Sequence, residues 1–367
     1  ILAEAGKLGA SDLHLTIGQP IFFRVAGELV KICETLSPSA MEKILAELVP
    51  ARLVEELNSK LAADFSHVEE KLSRRFRVNV YYQRKMPAVA VRLIAAKIPT
   101  LEEIGAPKVL KKFLTAAQGL ILVTGRTGSG KSTTIAAFLN ELLKVRPCHL
   151  LTLEDPIEQH IEGVSQVQVN EKVGLTFAAG LRAMLRMDAN CLMVGESRDA
   201  ETSRIAVRGA LTGHLILTTL HAGDSCSAVF RMIEMGVEPY LLASTLKCVV
   251  AQRLVRQLCP HCKNLVVAND FERKIICAEK IYKPIGCEIC GGTGYFGRLA
   301  LHEILRVEKS VRDLILYSRD LDKIRDAAFN AGLETLANDG IEKVCAGLTT
   351  LEEVQRILGE ELFAMRK

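Results

Sequence analysis

From residue 117 onward the chain repeats one rhythm. Short unbroken apolar runs (GLILVTG, HLLTLEDP, CLMVGE, HLILTTLHA) alternate with stretches whose apolar residues recur at helical spacing (STTIAAFLNELL, FAAGLRAMLRM, DAETSRIAVRGALTG). Unbroken apolar strands are those buried on both faces, so the alternation predicts a parallel sheet with helices on either side. Before residue 100 the pattern differs. RRFRVNVYYQR puts Phe76, Val78, Val80 and Tyr82 on one face, as a half-buried strand does, and SDLHLTIGQP, FFRVAGELV and AVAVRLI are further strands. SPSAMEKILAEL opens with a helix N-cap and continues at helical spacing. The expected organisation is a small α+β domain over 1–100, a linker over 101–116, an α/β domain with a parallel sheet over 117–256, a Cys-rich insert over 257–298, and short helices over 299–367.

A chain of 367 residues, 49% hydrophobic and 25% charged, has ordinary globular composition and room for two or three domains. A net charge of +4 is too mild to argue for nucleic acid, so none is expected as a direct partner. No apolar run approaches the roughly 18 residues needed to cross a bilayer, and the start, ILAEAGKLGAS, lacks the basic and apolar regions of a signal peptide. A cytoplasmic enzyme is the default. The first residue is Ile, not Met, so further chain is expected before it.

Sheets of this kind collect ligands beyond the carboxyl ends of their strands, where the polar clusters of this sequence fall. GRTGSGKS, residues 125–132, follows the first apolar strand and opens a helix. Gly125, Gly128 and Gly130 let the backbone fold tightly with its N–H groups facing phosphate oxygens, with Arg126, Thr127 and Ser129 between them. The helix start points its positive dipole end at the same place. Lys131 can then reach the β- and γ-phosphates of a nucleotide, and Ser132, followed by Thr133, offers a hydroxyl to Mg²⁺. Two later strands end in acids, Glu154-Asp155 and Gly195-Glu196. Alone, Asp155-Pro156 is a turn and Glu196 a helix cap. Beside a phosphate loop, the same carboxylates are placed to hold Mg²⁺ and to orient the attacking water.

GRTGSGKSTT, TLEDPIE, LRAMLRMDANCLMVGESRDAETSRIAV and LTGHLILTTLHAGDS together resemble the secretion ATPase superfamily of type II secretion and type IV pili, in motif order and spacing over about residues 10–360. The resemblance implies an α/β fold: a RecA-like P-loop ATPase domain with a parallel sheet, preceded by a small α+β, PAS-like N-terminal domain and followed by a zinc-binding insert and a helical tail. In that family the second apolar strand ends in Gly-Glu instead of Asp, which makes Glu196 its acid, acting on Mg²⁺ directly or through water. Glu154 is then the water-activating carboxylate, with Asp155 and Glu158 in the same acidic box. His214 and His221 match the histidine box, His221 sensing the γ-phosphate. Arg77 and Arg92, on strands of the first domain, match arginines that act across a ring of six subunits. Arg182 and Arg186, four apart on a predicted helix, are further candidates, and Asp12 and His14 match a signature of structural or interfacial character. The chain departs from the family at Met187 (commonly Gln), Ala189-Asn190 (commonly Pro-Asp) and Ser197 (commonly Ile).

Four of the eleven cysteines form two hooks, Cys259-Pro-His-Cys262 and Cys287-Glu-Ile-Cys290. Two C-x-x-C hooks across such a loop fit a closed, structural Zn²⁺ site, with His261 a poorer ligand and a redox dithiol the rival. The other seven, Cys33, Cys148, Cys191, Cys226, Cys248, Cys277 and Cys345, read as free thiols, several inside apolar runs. Within the family, assembly and secretion ATPases commonly carry this insert and retraction ATPases lack it, whereas RFRVNVYYQR…VRLIAAKIPTLEEIG resembles the retraction branch. The resemblance therefore implies a hexameric, Mg²⁺-dependent ATPase that powers assembly of a type IV pilus or type II secretion pseudopilus. It would dock on an inner-membrane platform protein from the cytoplasmic side. A retraction motor and a nucleotide-gated scaffold with little turnover are the alternatives.

Overall fold

The computed structural model describes residues 1–25, 27–72, 74–94, 97–276, 278–318 and 320–362. Cys277 and the side chain of Cys33 lie outside the described residues. The chain forms two compact units, Ile1–Lys97 and Ile98–Lys367.

The first unit holds strands β1 (Ala10–Thr16), β2 (Pro20–Val25), β3 (Glu28–Thr35), β4 (Ala62–Glu69), β5 (Arg74–Gln83) and β6 (Met86–Leu93), with helices α1 (Leu2–Lys7), α2 (Pro38–Leu48) and α3 (Ala51–Lys60). The strands make one antiparallel sheet in the order β3-β2-β1-β6-β5-β4. Leu13, Phe23, Phe76, Val78, Val80 and Val91 are buried on one face, joined by Met41 of α2. Strict alternation puts the polar partners on the other face. There Arg24, Asp12, Arg92 and Arg77 stand opposite one another across four neighbouring strands.

In the second unit the strands are β7 (Gly119–Thr124), β8 (Leu150–Glu154), β9 (Ser165–Gln168), β10 (Cys191–Val194), β11 (Leu215–Leu220), β12 (Leu246–Leu258), β13 (Asn264–Val267), β14 (Lys280–Lys283) and β15 (Tyr295–Arg306). The helices are α4 (Lys131–Val145), α5 (Phe177–Met184), α6 (Ala200–Leu211), α7 (Ser225–Glu234), α8 (Pro239–Thr245), α9 (Asp270–Ile276), α10 (Lys309–Tyr317), α11 (Leu321–Asn330), α12 (Leu336–Cys345) and α13 (Leu351–Leu358). The main sheet runs β15-β12-β7-β11-β10-β8-β9, parallel except for β15. Its strands feed two cores at once. Leu120, Leu122, Leu192 and Val194 pack on the face covered by α6 and α7, while Ile121, Val123, Cys191 and Met193 pack on the α4 face. That two-sided burial is why these strands show no polar alternation.

Two expectations change here. Residues 299–306 are not helical. They belong to β15, which pairs with β12 from Cys248↔Arg306 to Leu258↔Tyr295 and is itself buried over most of its length. The Cys-rich insert is therefore a connection between two adjacent strands of the main sheet. The stretch 101–116 does not hang free either: Leu101, Leu110 and Leu114 are buried with Ile135 and Phe138 of α4.

Candidate nucleotide and metal sites

The loop 125–130 joins β7 to α4 at the carboxyl end of the sheet. Gly125 has φ +148, and a Cβ there would lie 2.5 Å from the Gln252 carbonyl and 2.6 Å from Ser129 Oγ, so the loop closes only with glycine. Gly130, φ +87, caps α4, whose first-turn N–H groups have no partner within the helix and face the loop. Arg126, Thr127, Gly128 and Ser132 are exposed, and Thr133 is half-buried. Lys131 turns back on its own loop, its Nζ donating to the carbonyls of Gly125 (2.8 Å) and Arg126 (3.2 Å). Burial and the nearby Arg253 hold the Lys131 ammonium below its ordinary pKa, against the opposing pull of Glu196 and Glu158. Gln252, fully buried on β12, donates from Nε2 to the Ser129 carbonyl at 2.6 Å.

Glu196, just past β10, accepts Arg198 at 2.6 Å and lies 2.9 Å from His221 Nε2, just past β11. Burial works to raise its pKa, but Arg198, His221 and Lys131 outweigh that and hold the carboxyl below its usual range. A carboxylate kept ionised beside Lys131 suits a divalent cation that also takes the Ser132 hydroxyl. Glu154 ends β8 and accepts from Thr152 Oγ1 (2.6 Å) and Gln166 Nε2 (3.0 Å). Ser132, Glu154 and Glu158 line one cavity, whose apolar side includes Ile135, Leu139 and Met193. Asp155 is exposed and adds to the field on Arg198.

Several sequence candidates fall elsewhere. His214 precedes β11, its backbone carbonyl bonded to the N–H of Gly119 at the start of β7. It is at the opposite end of the sheet from His221, about 20 Å along a six-residue strand. The histidine-box pairing therefore brings only His221 to the phosphate loop. Arg182 is paired with Glu201 of α6. Arg186 is not on one helix face with it, because α5 ends at Met184 and Arg186 follows in an exposed turn. In the first unit Arg77 is held by Asp64 (2.7 Å) and Arg92 by Asp12 (2.9 Å), a pairing that overcomes burial and lowers the Asp12 carboxyl. Sequence reading missed Arg198 and Gln252. The first stood inside a quoted motif, two residues past Glu196; the second is set by strand pairing across more than a hundred residues and leaves no local mark.

The four hook sulfurs, Cys259, Cys262, Cys287 and Cys290, all lie within 4.8 Å of one another. The separations Cys259–Cys287 and Cys262–Cys290 are both 3.9 Å, close to the roughly 3.8 Å edge of a tetrahedron with Zn–S bonds of about 2.3 Å. Burial works to raise the Cys290 thiol, but backbone N–H groups of Cys287 (3.1 Å) and Gly294 (3.2 Å) donate to its sulfur and bring it well below the usual range. Gly294, φ +74, leaves no room for a Cβ, which would fall 2.4 Å from Pro284. His261 is exposed and outside the cluster. No helix among the described residues is long and apolar enough to cross a membrane.

The sequence model of a family described as "Type II/IV secretion system protein" matches residues 1–356. Type II secretion system protein E of Aeromonas hydrophila is 38% identical over 382 residues, covering 98% of this chain and 75% of its own. Type IV pilus assembly ATPase PilB of Thermus thermophilus is 38% identical over 379 residues, covering 96% of this chain but 42% of its own, so the chain spans less than half of that relative. Among solved structures, the pilus retraction motor PilT with bound ADP has a TM-score of 0.76 at 31% identity, covering 97% of this chain and 95% of its own. The Legionella pneumophila ATPase DotB has a TM-score of 0.75 at 26% identity, covering 97% and 93%. A phosphate loop followed by a strand ending in Gly-Glu, carried by a chain that matches almost end to end, places the protein in the type II/IV secretion system protein family.

Proposed function

We propose that this chain is the ATP-hydrolysing motor of a pilus-assembly or protein-secretion system, working as a ring of six on the cytoplasmic face of the inner membrane, docked on a membrane-embedded platform protein. The observation that carries the ATPase reading is the grouping of Lys131, Glu196 and His221 at one end of the sheet, with Ser132 and Glu154 lining the adjoining cavity. Lys131 leaves its own carbonyls for the β- and γ-phosphates. Ser132 and Glu196 would hold Mg²⁺, which would neutralise charge building on the phosphates. Glu154 accepts a proton from the attacking water, and His221, whose Nε2 lies 2.9 Å from Glu196, reports whether the γ-phosphate is present. Arg77 and Arg92 serve a neighbouring subunit's nucleotide. The four cysteines hold Zn²⁺ in a closed, structural site.

The cysteine cluster favours the assembly and secretion branch. A retraction motor is the second reading, favoured by the likeness to PilT over 97% of the chain. The test is ATP turnover per subunit across a wide protein concentration range, for wild type and Arg92→Ala. Turnover that rises with concentration in wild type and stays low in the variant supports a site completed across subunits. A concentration-independent rate unaffected by the variant overturns the ring and the trans arginine, and no turnover at any concentration leaves a nucleotide-gated scaffold.

A further inference from the structure

The acidic strand end at Glu154 is held by a neighbour that neither its motif nor the family match assigns a role. β8 and β9 are parallel, with Thr152 opposite Gln166. Glu154, two residues beyond Thr152, lies on the same face. Thr152 Oγ1 and Gln166 Nε2 both donate to one oxygen, Glu154 Oε1, at 2.6 and 3.0 Å. The terminal torsion of a glutamate is broad, so its carboxylate plane is not set by rotamer preference. Two donors on one oxygen set it.

Gln166 also uses the rest of its amide. Nε2 donates to the Gln159 carbonyl at 2.8 Å, and Oε1 accepts the Ile161 N–H at 2.9 Å. Turning the amide over would set an NH₂ against the Ile161 N–H and a carbonyl oxygen against both the Glu154 carboxylate and the Gln159 carbonyl. One orientation satisfies all three partners. The loop held this way, between β8 and β9, carries Glu158, which lines the same cavity as Ser132 and Glu154.

We propose that Gln166, assisted by Thr152, is a positioning residue for Glu154: it fixes the carboxylate that activates water and ties it to the loop bearing Glu158. This rests on Glu154 being the water-activating group. The test is steady-state ATPase kinetics of Gln166→Leu, Thr152→Val, Glu154→Gln and the double variant Glu154→Gln/Gln166→Leu, each first checked for a wild-type melting transition. Gln166→Leu is expected to lower kcat about 10²-fold, the size of loss that follows misplacing a catalytic group by about 1 Å, with KM within about twofold. Thr152→Val acts in the same direction to a smaller extent, and provides the readout if Gln166→Leu does not fold. In the Glu154→Gln background, Gln166→Leu is expected to cause no further loss, because it acts only through Glu154. A further loss in that background, a change in KM alone, or unaltered kcat in the folded single variants overturns the proposal. Wild-type turnover by Glu154→Gln would instead overturn the role of Glu154 itself.

Discussion

The phosphate loop and the cysteine hooks are both glycine-rich turns that aim backbone N–H groups at a negative centre, yet they stand in opposite states of readiness. At the hooks the ligand atoms already converge, with N–H groups of Cys287 and Gly294 on the Cys290 sulfur. At the phosphate loop the principal cation is turned inward, with Lys131 bonded to the carbonyls of Gly125 and Arg126. The contrast fits the role proposed for each centre. A structural metal site is assembled once and kept, so preorganisation costs nothing later. A nucleotide site must load and unload, so its lysine is held by bonds to the loop's own carbonyls that phosphate oxygens can replace.

That difference can be broken at its strongest point first. Structural zinc contributes an apparent binding free energy of about 10–16 kcal/mol, most of it serving as local folding free energy. Stripping the metal with a strong chelator is therefore expected to expose residues 257–298 to hydrogen exchange while ADP still binds the phosphate loop. Protein purified under reducing conditions with no zinc by metal analysis would end the Cys₄ assignment. The next effect is at the loop: Lys131→Ala is expected to lower turnover by about 10²–10³-fold or more, the scale of losing one preorganised charge-stabilising donor. Near-normal kcat would show that the inward lysine does not swing to the phosphates.

The smallest effect sharpens the comparison, because β12 physically joins the two regions. It runs from Gln252 at the phosphate loop to Leu258 at the first hook, and between them Arg256 is gripped by Glu353 of α13 (2.6 Å), which also takes Arg356 (2.8 Å). Burial would raise the Glu353 carboxyl, but the two arginines bring it from 4.5 down to about 2. A depressed carboxylate stabilises the fold fully above its unfolded value and loses that contribution as pH falls through the folded one. The gap between wild type and Glu353→Gln is thus expected to be constant above about pH 4.5 and to narrow by about 3 kcal/mol as pH falls from there through 2. Thermal melts across that range check it; a gap constant with pH would mean the arginines hold nothing.

What the sequence could convey depended on how local each cause is. β7, β10 and β11 were legible because a strand buried on both faces leaves an unbroken apolar run. The same burial made YFGRLALHEILR ambiguous: without polar alternation, period could not separate strand from helix, and the tail was read as helical from its first residue. The phosphate loop was legible because Gly125, Lys131 and Ser132 do their work within one turn. His214 and His221 were legible as the two flanks of one strand, and the six residues between them set the rings about 20 Å apart. Gln166 and Gln252 were invisible because their partners are chosen by strand register.

The placement of the insert has one more consequence. Leu258 and Tyr295 face each other as register partners in the antiparallel pair of β12 and β15. Everything from 259 to 294 is, topologically, the loop of a single hairpin. Such a module is looped out of the sheet but anchored to the tail: Ala268, Ile275, Ile276 and Ile281 within it are buried with Leu336, Val344 and Val354 of α12 and α13. When the four cysteines share a metal, they cinch the loop at its neck, and a long excursion of chain costs the hairpin little more entropy than a short one would.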